Sequence, residues 1–389
     1  MENKKKLERR KIYYICFYAE PEISNKIVSY PSVWSKIDYI VLKLKQCGFK
    51  IELLSVAEST GGAFKGFRKK FDGQETHLYL SSYRFKNFIL NKMSTVWHWL
   101  KIITYLLIKV KSDDIVLVYH SIYNLRWLNI YNGIFHKEFY LEIEDIFSAL
   151  NEKNKHFMTA EWNLFKKAKG CICVNDLIAE KLQKVSKIKT IISYGSYLLP
   201  AYKKKKVDNR IHLVYAGVIE QDRKAAFLAV NAMKYLPLNY SLSVLGFGEQ
   251  EDIDALIKLI EKVKRKTNNS NINFYGRMSG KKYYEFLQKC DIGLSTHMYD
   301  EFNKASADNT FPSKVLVYMA NGLRVVAQNI RCLQKSELNK YIFFYENPEE
   351  EKVAEAIKRI NIDSSYDGRK VISKLDEKFE INLRQFFAE

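Results

Sequence analysis

Short apolar runs alternate with stretches of helical periodicity along this whole chain, and few folds other than a parallel sheet covered by helices satisfy that alternation. Residues 11–19 (KIYYICFYA) hold neither Gly nor Pro and predict a strand. A helix is expected over about 31–47, ended by Gly48, and residues 49–56 read as the next strand. This β-α-β opening suits a parallel, doubly wound sheet. Residues 57–75 are polar and Gly-bearing and read as a loop, 77–81 as a short strand, and 85–111 as a basic, aromatic-rich helical region. Further strands are expected at 114–119, 138–143, 170–175 and 190–194, with helices between them.

The lysine run at 203–206 then marks a linker, and residues 210–216 open a second β-α-β series. It continues at 240–245, 271–275, 291–295 and 323–327, each followed by a helical stretch. At 389 residues the chain is too long for one core and suits two domains of ordinary size. The expected fold class is α/β: a Rossmann-like domain over 1–200, a second over 207–369, and a final helix over 370–389 with no obvious strand partner.

Apolar residues make up 47 % of the chain against only 16 Gly and 6 Pro, which excludes disorder and low complexity. Cys16, Cys47, Cys171, Cys173, Cys290 and Cys332 form no C-x-x-C pair and fall mostly in apolar segments. They read as reduced core thiols of a cytoplasmic protein, with no zinc site. The charged start (Lys4, Lys5, Lys6, Arg9, Arg10) leads straight into a strand and does not read as a signal peptide. The net charge is +19, and residues 1–112 hold 21 Lys+Arg against 9 Asp+Glu, so +12 of it sits in the first third. That asymmetry points to an anionic partner, phospholipid or nucleic acid; the plainer reading is a solubilising lysine-rich surface. No nucleic-acid module or RNP-like aromatic motif is present in the sequence, so no nucleic-acid partner is expected and an anionic membrane surface is favoured. Within 85–111, Trp97, Trp99, Leu100, Ile102, Ile103 and Ile108 are flanked by Lys92, Lys101, Lys109 and Lys111. This segment is too short and too charged to span a bilayer but suits its interface; equally, it suits an internal helix that covers a sheet.

Residues 308–322 (DNTFPSKVLVYMANG) read as a loop running into a short helix. Asn309 or Thr310 can cap it, Pro312 suits its first turn, and Gly322 can close it in a left-handed conformation. A helix opened by Thr310, Ser313 and an exposed Lys314 offers free N–H groups, a positive dipole end and an ammonium to an anion, best of all a phosphate. An ordinary capped helix that binds nothing is the alternative.

In open parallel sheets, ligands bind beyond the carboxyl ends of the strands. The first half carries His120-Ser121, Glu144-Asp145 and Asn175-Asp176 there. The second carries Gly217 to Lys224, Gly246-Phe247-Gly248-Glu249, Gly276-Arg277 and the 309–314 loop. Carboxylates and a histidine on one side suit an acceptor; glycines and cations on the other suit a phosphorylated donor. Each also has a plain reading. His120 fits a hydrogen-bonded structural histidine, and Glu142 and Glu144 can share a strand face or pair with surface lysines. Gly246-Phe247-Gly248 is only a fragment of a Gly-rich loop, and Arg223-Lys224 fits a solvated pair. Asp252-Ile253-Asp254 looks superficially like a metal-binding D-x-D, but it opens a helix expected over 251–266 and complements its dipole, so no metal site is assigned.

The order of Ala216-Gly217, Arg223-Lys224, Leu245-Gly246-Phe247-Gly248, Asn273-Phe274-Tyr275-Gly276 and Cys290-Asp291-Ile292-Gly293, then Phe311-Pro312-Ser313-Lys314 and Tyr318-Met319-Ala320-Asn321-Gly322-Leu323-Arg324-Val325-Val326-Ala327, resembles the family-4 retaining glycosyltransferases of bacterial polysaccharide and capsule assembly. The resemblance covers about 210–330, with the first half alike only in architecture. It implies the GT-B fold: two Rossmann-like domains facing across a cleft, with the last helix crossing back to the first. It further implies a nucleotide-sugar donor (UDP- or GDP-sugar) held by the second domain, with no metal and no cofactor. Arg223 and Lys224 would clamp the diphosphate, and Gly217, Gly246, Gly248, Arg277, Asn309, Thr310, Phe311, Pro312, Ser313, Lys314 and Val317 would line the donor site. His120, Glu144 and Asp145 take the acceptor-side positions.

Two departures stand out. Asn309 and Val317 occupy places where the family often carries Glu, and Val317 cannot hydrogen-bond a ribose. Ser29-Tyr30-Pro31-Ser32 stands near the place of the family's first-domain Gly-rich loop. The implied function is transfer of a sugar to a glycan acceptor, lipid-linked, in cell-surface polysaccharide synthesis at the inner face of the plasma membrane. The alternatives are a non-catalytic partner of the same fold, suggested by Val317 and Asn309, and a sugar-nucleotide epimerase, which would lack the F-P-S-K run.

Overall fold

The computed structural model describes residues 10–29, 31–150, 152–203, 208–222, 224–299 and 304–388. Tyr30, Arg223, the linker lysines at 204–206 and the lysines of the N-terminus lie outside the described residues. The chain divides into a first unit, Met1–Ser196 with Glu377–Glu389, and a second, Tyr197–Asp376.

In the first unit, β1 (Lys11–Cys16) is buried from its second residue onward, as a strand covered on both faces must be. It lies between β2 (Lys50–Ser55) and a later strand, β7 (Ile115–Tyr119), parallel to both. With β4 (Phe67–Lys70), β5 (Glu75–Tyr79), β8 (Tyr140–Ile143), β9 (Gly170–Cys173) and β10 (Lys189–Ile192), the sheet runs β10-β9-β8-β7-β1-β2-β5-β4. The strand order reverses between β1 and β7, so this sheet's crevice opens beyond their carboxyl ends. The helix Pro31–Gln46 is closed by Gly48 at φ 97°.

The segment read as a loop at 57–75 contains two strands. β3 (Gly62–Phe64) pairs antiparallel with β6 (Ser82–Arg84), and β4 pairs antiparallel with β5 at the sheet's rim. β4 (FRKK) is exposed along its whole length. Basic, solvated residues blunt a free edge, so a polar composition suits an edge strand as well as a loop. The final helix, Gly368–Ala388, buries Phe379, Leu383, Phe386 and Phe387. Phe379 stacks on Tyr39 at 5.8 Å, and Phe387 meets Phe49 and Tyr140 edge-on at 5.8 and 5.0 Å.

The second unit is a six-stranded sheet of β11 (Ile211–Val218), β12 (Tyr240–Phe247), β13 (Ile272–Gly276), β14 (Ile292–Ser295), β15 (Arg324–Gln328) and β16 (Ile342–Tyr345), in the order β13-β12-β11-β14-β15-β16. All neighbours are parallel. The sequence reading stopped at the fifth strand. β16 is only four residues long and ends just before Glu346-Asn347-Pro348, so its apolar run is too short to stand out.

The order reverses between β11 and β14, which pair only through Leu213–Ile292 and Val214–Gly293. Beyond that point one side chain joins them. The Ala216 N–H donates to the Tyr318 hydroxyl at 2.9 Å, and that hydroxyl donates to the Leu294 carbonyl at 3.5 Å. Tyr318 reaches the gap because Gly293 has no side chain: a Cβ there would lie 2.3 Å from the ring. We expect Gly293→Ala to overpack this contact and destabilise the second unit by about 1–3 kcal/mol. Urea unfolding followed by far-UV circular dichroism checks it, and an unchanged midpoint would refute the account.

Candidate functional site

The second unit gathers most of the expected donor-side residues at its strand-order reversal. Lys314 begins the helix Lys314–Ala320, whose buried face (Val315, Leu316, Tyr318, Met319) anchors it on the sheet. Its ammonium reaches back over the end of β11: Nζ lies 3.3 Å from the Tyr215 hydroxyl and 4.5 Å from the ring centre. Gly217 makes room for it, since a Cβ there would sit 2.1 Å from that nitrogen. Two expectations are corrected here. Lys314 is half-buried rather than exposed, because its stem lies on Tyr215 and Gly217. Neither Asn309 nor Thr310 caps the helix. Ser313 precedes it in αR conformation without a side-chain cap bond, and Asn309 ends a separate 3-10 turn, Lys304–Asn309. Pro312 nevertheless opens the turn, as its carbonyl accepts from Val315 N–H at 3.1 Å. Phe311 and Asn309 are buried, while Thr310, Pro312 and Val317 are half-exposed and Ser313 is exposed. Gly322 does close the helix left-handed, at φ 81°.

Gly246 and Gly248 serve close backbone approach. A Cβ on Gly246 would meet the Gly217 carbonyl at 2.1 Å, and one on Gly248 the Ile219 carbonyl at 2.1 Å. This G-x-G therefore lets the ends of β11 and β12 lie against each other. Arg277, just past β13, stands 5.1 Å over the Phe247 ring. Beside it opens a hollow of about 430 Å³ lined by Arg277, Met278, Ser279, Lys282, Glu285, Phe286 and Lys289. Lys224 is exposed and left-handed (φ 51°) at the start of the helix Ala225–Ala232. A non-glycine residue there carries a modest backbone strain. Across the reversal, the Thr296 hydroxyl donates to the Ala225 carbonyl at 2.7 Å, so the loops after β11 and β14 meet. Asp252, in the helix Gln250–Thr267, accepts from Gln221 N–H and Nε2 at 3.2 and 3.0 Å. Among the described residues no group of three or more His, Cys, Asp or Glu is placed to hold a metal.

In the first unit, His120 follows β7 at the reversal and is fully enclosed. Its Nε2–H donates to Glu161 at 2.7 Å, and its buried Nδ1 has no hydrogen-bond partner among the described residues. Glu161 also accepts from the Phe147 and Ser148 N–H groups and from the Ser148 hydroxyl. Burial alone would raise its carboxyl, but the bonds from His120 and Ser148 outweigh that and hold it below the usual range. The sequence reading missed Glu161, which lies 41 residues from His120 on a helix where a lone Glu looks solvated.

Glu144 pairs with Lys36 at 3.2 Å, and that lysine, itself buried rather than on the surface, donates to the Ser193 carbonyl and hydroxyl at 2.8 Å each. Asp145 beside it is half-exposed. Glu142 is fully buried, accepts from the Tyr14 hydroxyl through one oxygen, and has no partner for the other among the described residues. Burial and then the Glu144 charge push its carboxyl up to about 8, against the pull of Lys36 and Tyr14. Lys36, Tyr14 and Ser193 carried no signal in the sequence, because only the fold brings them to Glu142 and Glu144.

Residues 201–383 match the family described as glycosyl transferases group 1. The match takes in β11 to β16 and every described donor-side residue named above, and it supports a glycosyltransferase. No curated protein matches the sequence. Among solved structures, sucrose-phosphate synthase from Thermosynechococcus elongatus is similar over 97 % of this chain and 98 % of its own, at 13 % identity and TM-score 0.65. An E. coli trehalose-6-phosphate protein bound with UDP-2-fluoro glucose is similar over 96 % and 99 %, at 13 % and 0.64. HepE of Anabaena, in complex with UDP, is similar over 96 % and 100 %, again at 13 % and 0.64. These likenesses show the GT-B fold.

The raised carboxyl of Glu142 has a signed consequence. The native state holds that proton up to about pH 8, whereas an unfolded chain releases it near about 4.3. Native protein therefore binds more protons across that window, and stability falls as pH rises through it. We expect urea midpoints of the wild type to drop between pH 5 and pH 8 more steeply than those of Glu142→Gln. Equal slopes would show that Glu142 is charged in the native state.

Proposed function

We propose that this protein is a retaining, metal-independent glycosyltransferase that moves a sugar from a nucleotide-sugar to a glycan acceptor. The observation that carries the reading is the Lys314 ammonium held over Gly217 at the reversal of the second sheet, inside the stretch that matches the glycosyl transferases. A half-buried cation at that crevice suits a phosphate. UDP and UDP-2-fluoro glucose in two of the similar structures favour a uridine diphosphate sugar over a GDP-sugar.

In this reading the bond between the anomeric carbon and the leaving phosphate oxygen breaks, and its electrons stay on the diphosphate. Lys314, Lys224 and Arg223 stabilise that charge. The acceptor hydroxyl attacks from the same face and its proton passes to the departing phosphate, so configuration is kept without a protein base. Gly217 seats the Lys314 ammonium, Gly246 and Gly248 bring the ends of β11 and β12 together on the donor side, Arg277 faces the base, and residues 309–313 with Val317 line the sugar and ribose. His120, Glu144 and Asp145 orient acceptor hydroxyls. The acceptor is a lipid-linked glycan of cell-surface polysaccharide synthesis, met by a peripheral protein at an anionic membrane. The basic first third supports that part of the reading.

Thermal unfolding with UDP, GDP, CMP and their sugar conjugates tests the donor. A true ligand at a hundred times its dissociation constant should stabilise the protein by about 2.7 kcal/mol, a rise of roughly 5–10 °C for a unit of this size. A flat response from folded protein would move the non-catalytic partner to the front. Lys314→Ala should weaken the responding nucleotide by roughly ten- to a hundredfold, the worth of a charge-assisted hydrogen bond. Gly217→Ala should do nearly the same by pushing the ammonium aside. Wild-type affinity in both variants would remove Lys314 from the phosphate site.

A further inference from the structure

The helix Phe88–Lys109 has two apolar faces, and the sheet uses only one of them. His98, Ile102, Ile103 and Leu106 are buried. On the other side Ile89, Met93, Val96, Trp97, Leu100 and Ile108 are exposed, with Ile89 at 67 %, Trp97 at 62 % and Ile108 at 69 %. At 3.6 residues per turn these six positions fall within an arc of roughly 120°, a continuous stripe along the helix. Lys92 lies on one margin of that arc, its ammonium 4.3 Å over the Phe88 ring, and Lys101 on the other, donating to the Ser81 carbonyl and hydroxyl at 3.1 and 3.2 Å; both place a cation at the rim of the stripe.

The chain leading from β6 into the helix adds two more exposed rings. Tyr83 and Phe85 are exposed with ring centres 4.3 Å apart. This segment is tied to the helix, since the Ser94 hydroxyl donates to the Tyr83 carbonyl at 2.6 Å and the Phe85 N–H donates to Asn91 at 3.2 Å. From Ser82 to Lys111 the chain carries six Lys and Arg and no Asp or Glu.

We propose that this face docks in the headgroup region of an anionic phospholipid bilayer, with the stripe lying in the membrane plane. The charge selects the occupant: a second copy would set the lysines of the two margins against like lysines, whereas an anionic bilayer meets both the apolar stripe and its basic margins. Insertion is interfacial. Among the described residues no helix is long and apolar enough to cross a membrane. The inference rests on the membrane part of the proposed function and names the surface that performs it. It does not depend on the donor.

Flotation of the full chain with phosphatidylcholine vesicles, with and without phosphatidylglycerol, tests it. Wild type should float with the anionic vesicles and far less with the neutral ones. Ile89→Ser/Met93→Ser/Trp97→Ser/Leu100→Ser should abolish flotation while keeping the wild-type melting temperature, because all four side chains are exposed. Lys92→Gln/Lys101→Gln should lower partitioning about fivefold for each lysine removed. Flotation of the serine variant at wild-type level would overturn this surface while leaving a membrane protein. No flotation of wild type would overturn both. A wild-type dimer that the serine variant abolishes would show that a second copy covers the stripe, and would also overturn the proposal. Nucleotide-induced thermal shifts on the same preparations read the glycosyltransferase assignment separately.

Discussion

Where the order of a parallel sheet reverses, the two central strands diverge and their last backbone groups lose their ladder partners. A buried amide left unbonded costs about 1–3 kcal/mol, so the fold must supply a substitute at the place where it also opens a crevice. In the second unit the substitute is a single phenol. The Tyr318 hydroxyl takes the Ala216 N–H and gives its proton to the Leu294 carbonyl, which holds the two strands at a fixed gap. Its ring needs the space left by Gly293, and four residues earlier on the same helix Lys314 needs the space left by Gly217. One short helix thus closes the sheet and aims a cation at the opening. Its placement owes little to its own N-terminus.

That coupling explains which parts of the second unit were legible. Strand-helix alternation gave five of the six strands, since each is an apolar run bounded by turn residues. The run Phe311-Pro312-Ser313-Lys314 marked the stretch whose Lys314 the structure sets against Gly217. Local capping rules failed at the same spot. They took Asn309 and Thr310 for caps, yet the helix begins at Lys314 without any side-chain cap, because tertiary packing of Val315, Leu316 and Tyr318 sets its start. Gly246-Phe247-Gly248 reads in the sequence as a fragment of a Gly-rich loop; in the fold both glycines leave space for neighbouring backbone, a requirement that a one-dimensional pattern does not reveal.

The first unit was less legible because its charged groups are buried. Sequence patterns treat Glu142, Glu161 and Lys36 as surface residues, by the ordinary cost of burying a charge. The fold meets that cost in different ways. Glu161 collects four donors and stays ionised, Lys36 finds Glu144 and Ser193, and Glu142 keeps its proton. Glu161 and Lys36 reach these partners from helices and Glu142 from within β8, so only the folded chain brings them together.

The helix Phe88–Lys109 shows why amphipathic periodicity alone left two readings open. A helix that covers a sheet and a helix that lies on a bilayer both present an apolar stripe, and a pattern with apolar residues on two sides scores for either. Burial separates them. One stripe, centred on Ile102 and Leu106, is used up by the unit's own core; the other, from Ile89 to Ile108, is not. Folding alone does not require Met93, Trp97 and Leu100 to be apolar. With lysines on both margins and no acidic residue from Ser82 to Lys111, the second stripe matches a surface that is apolar within and anionic at its rim. The core reading therefore accounts for one face of the element and leaves the other apolar and exposed.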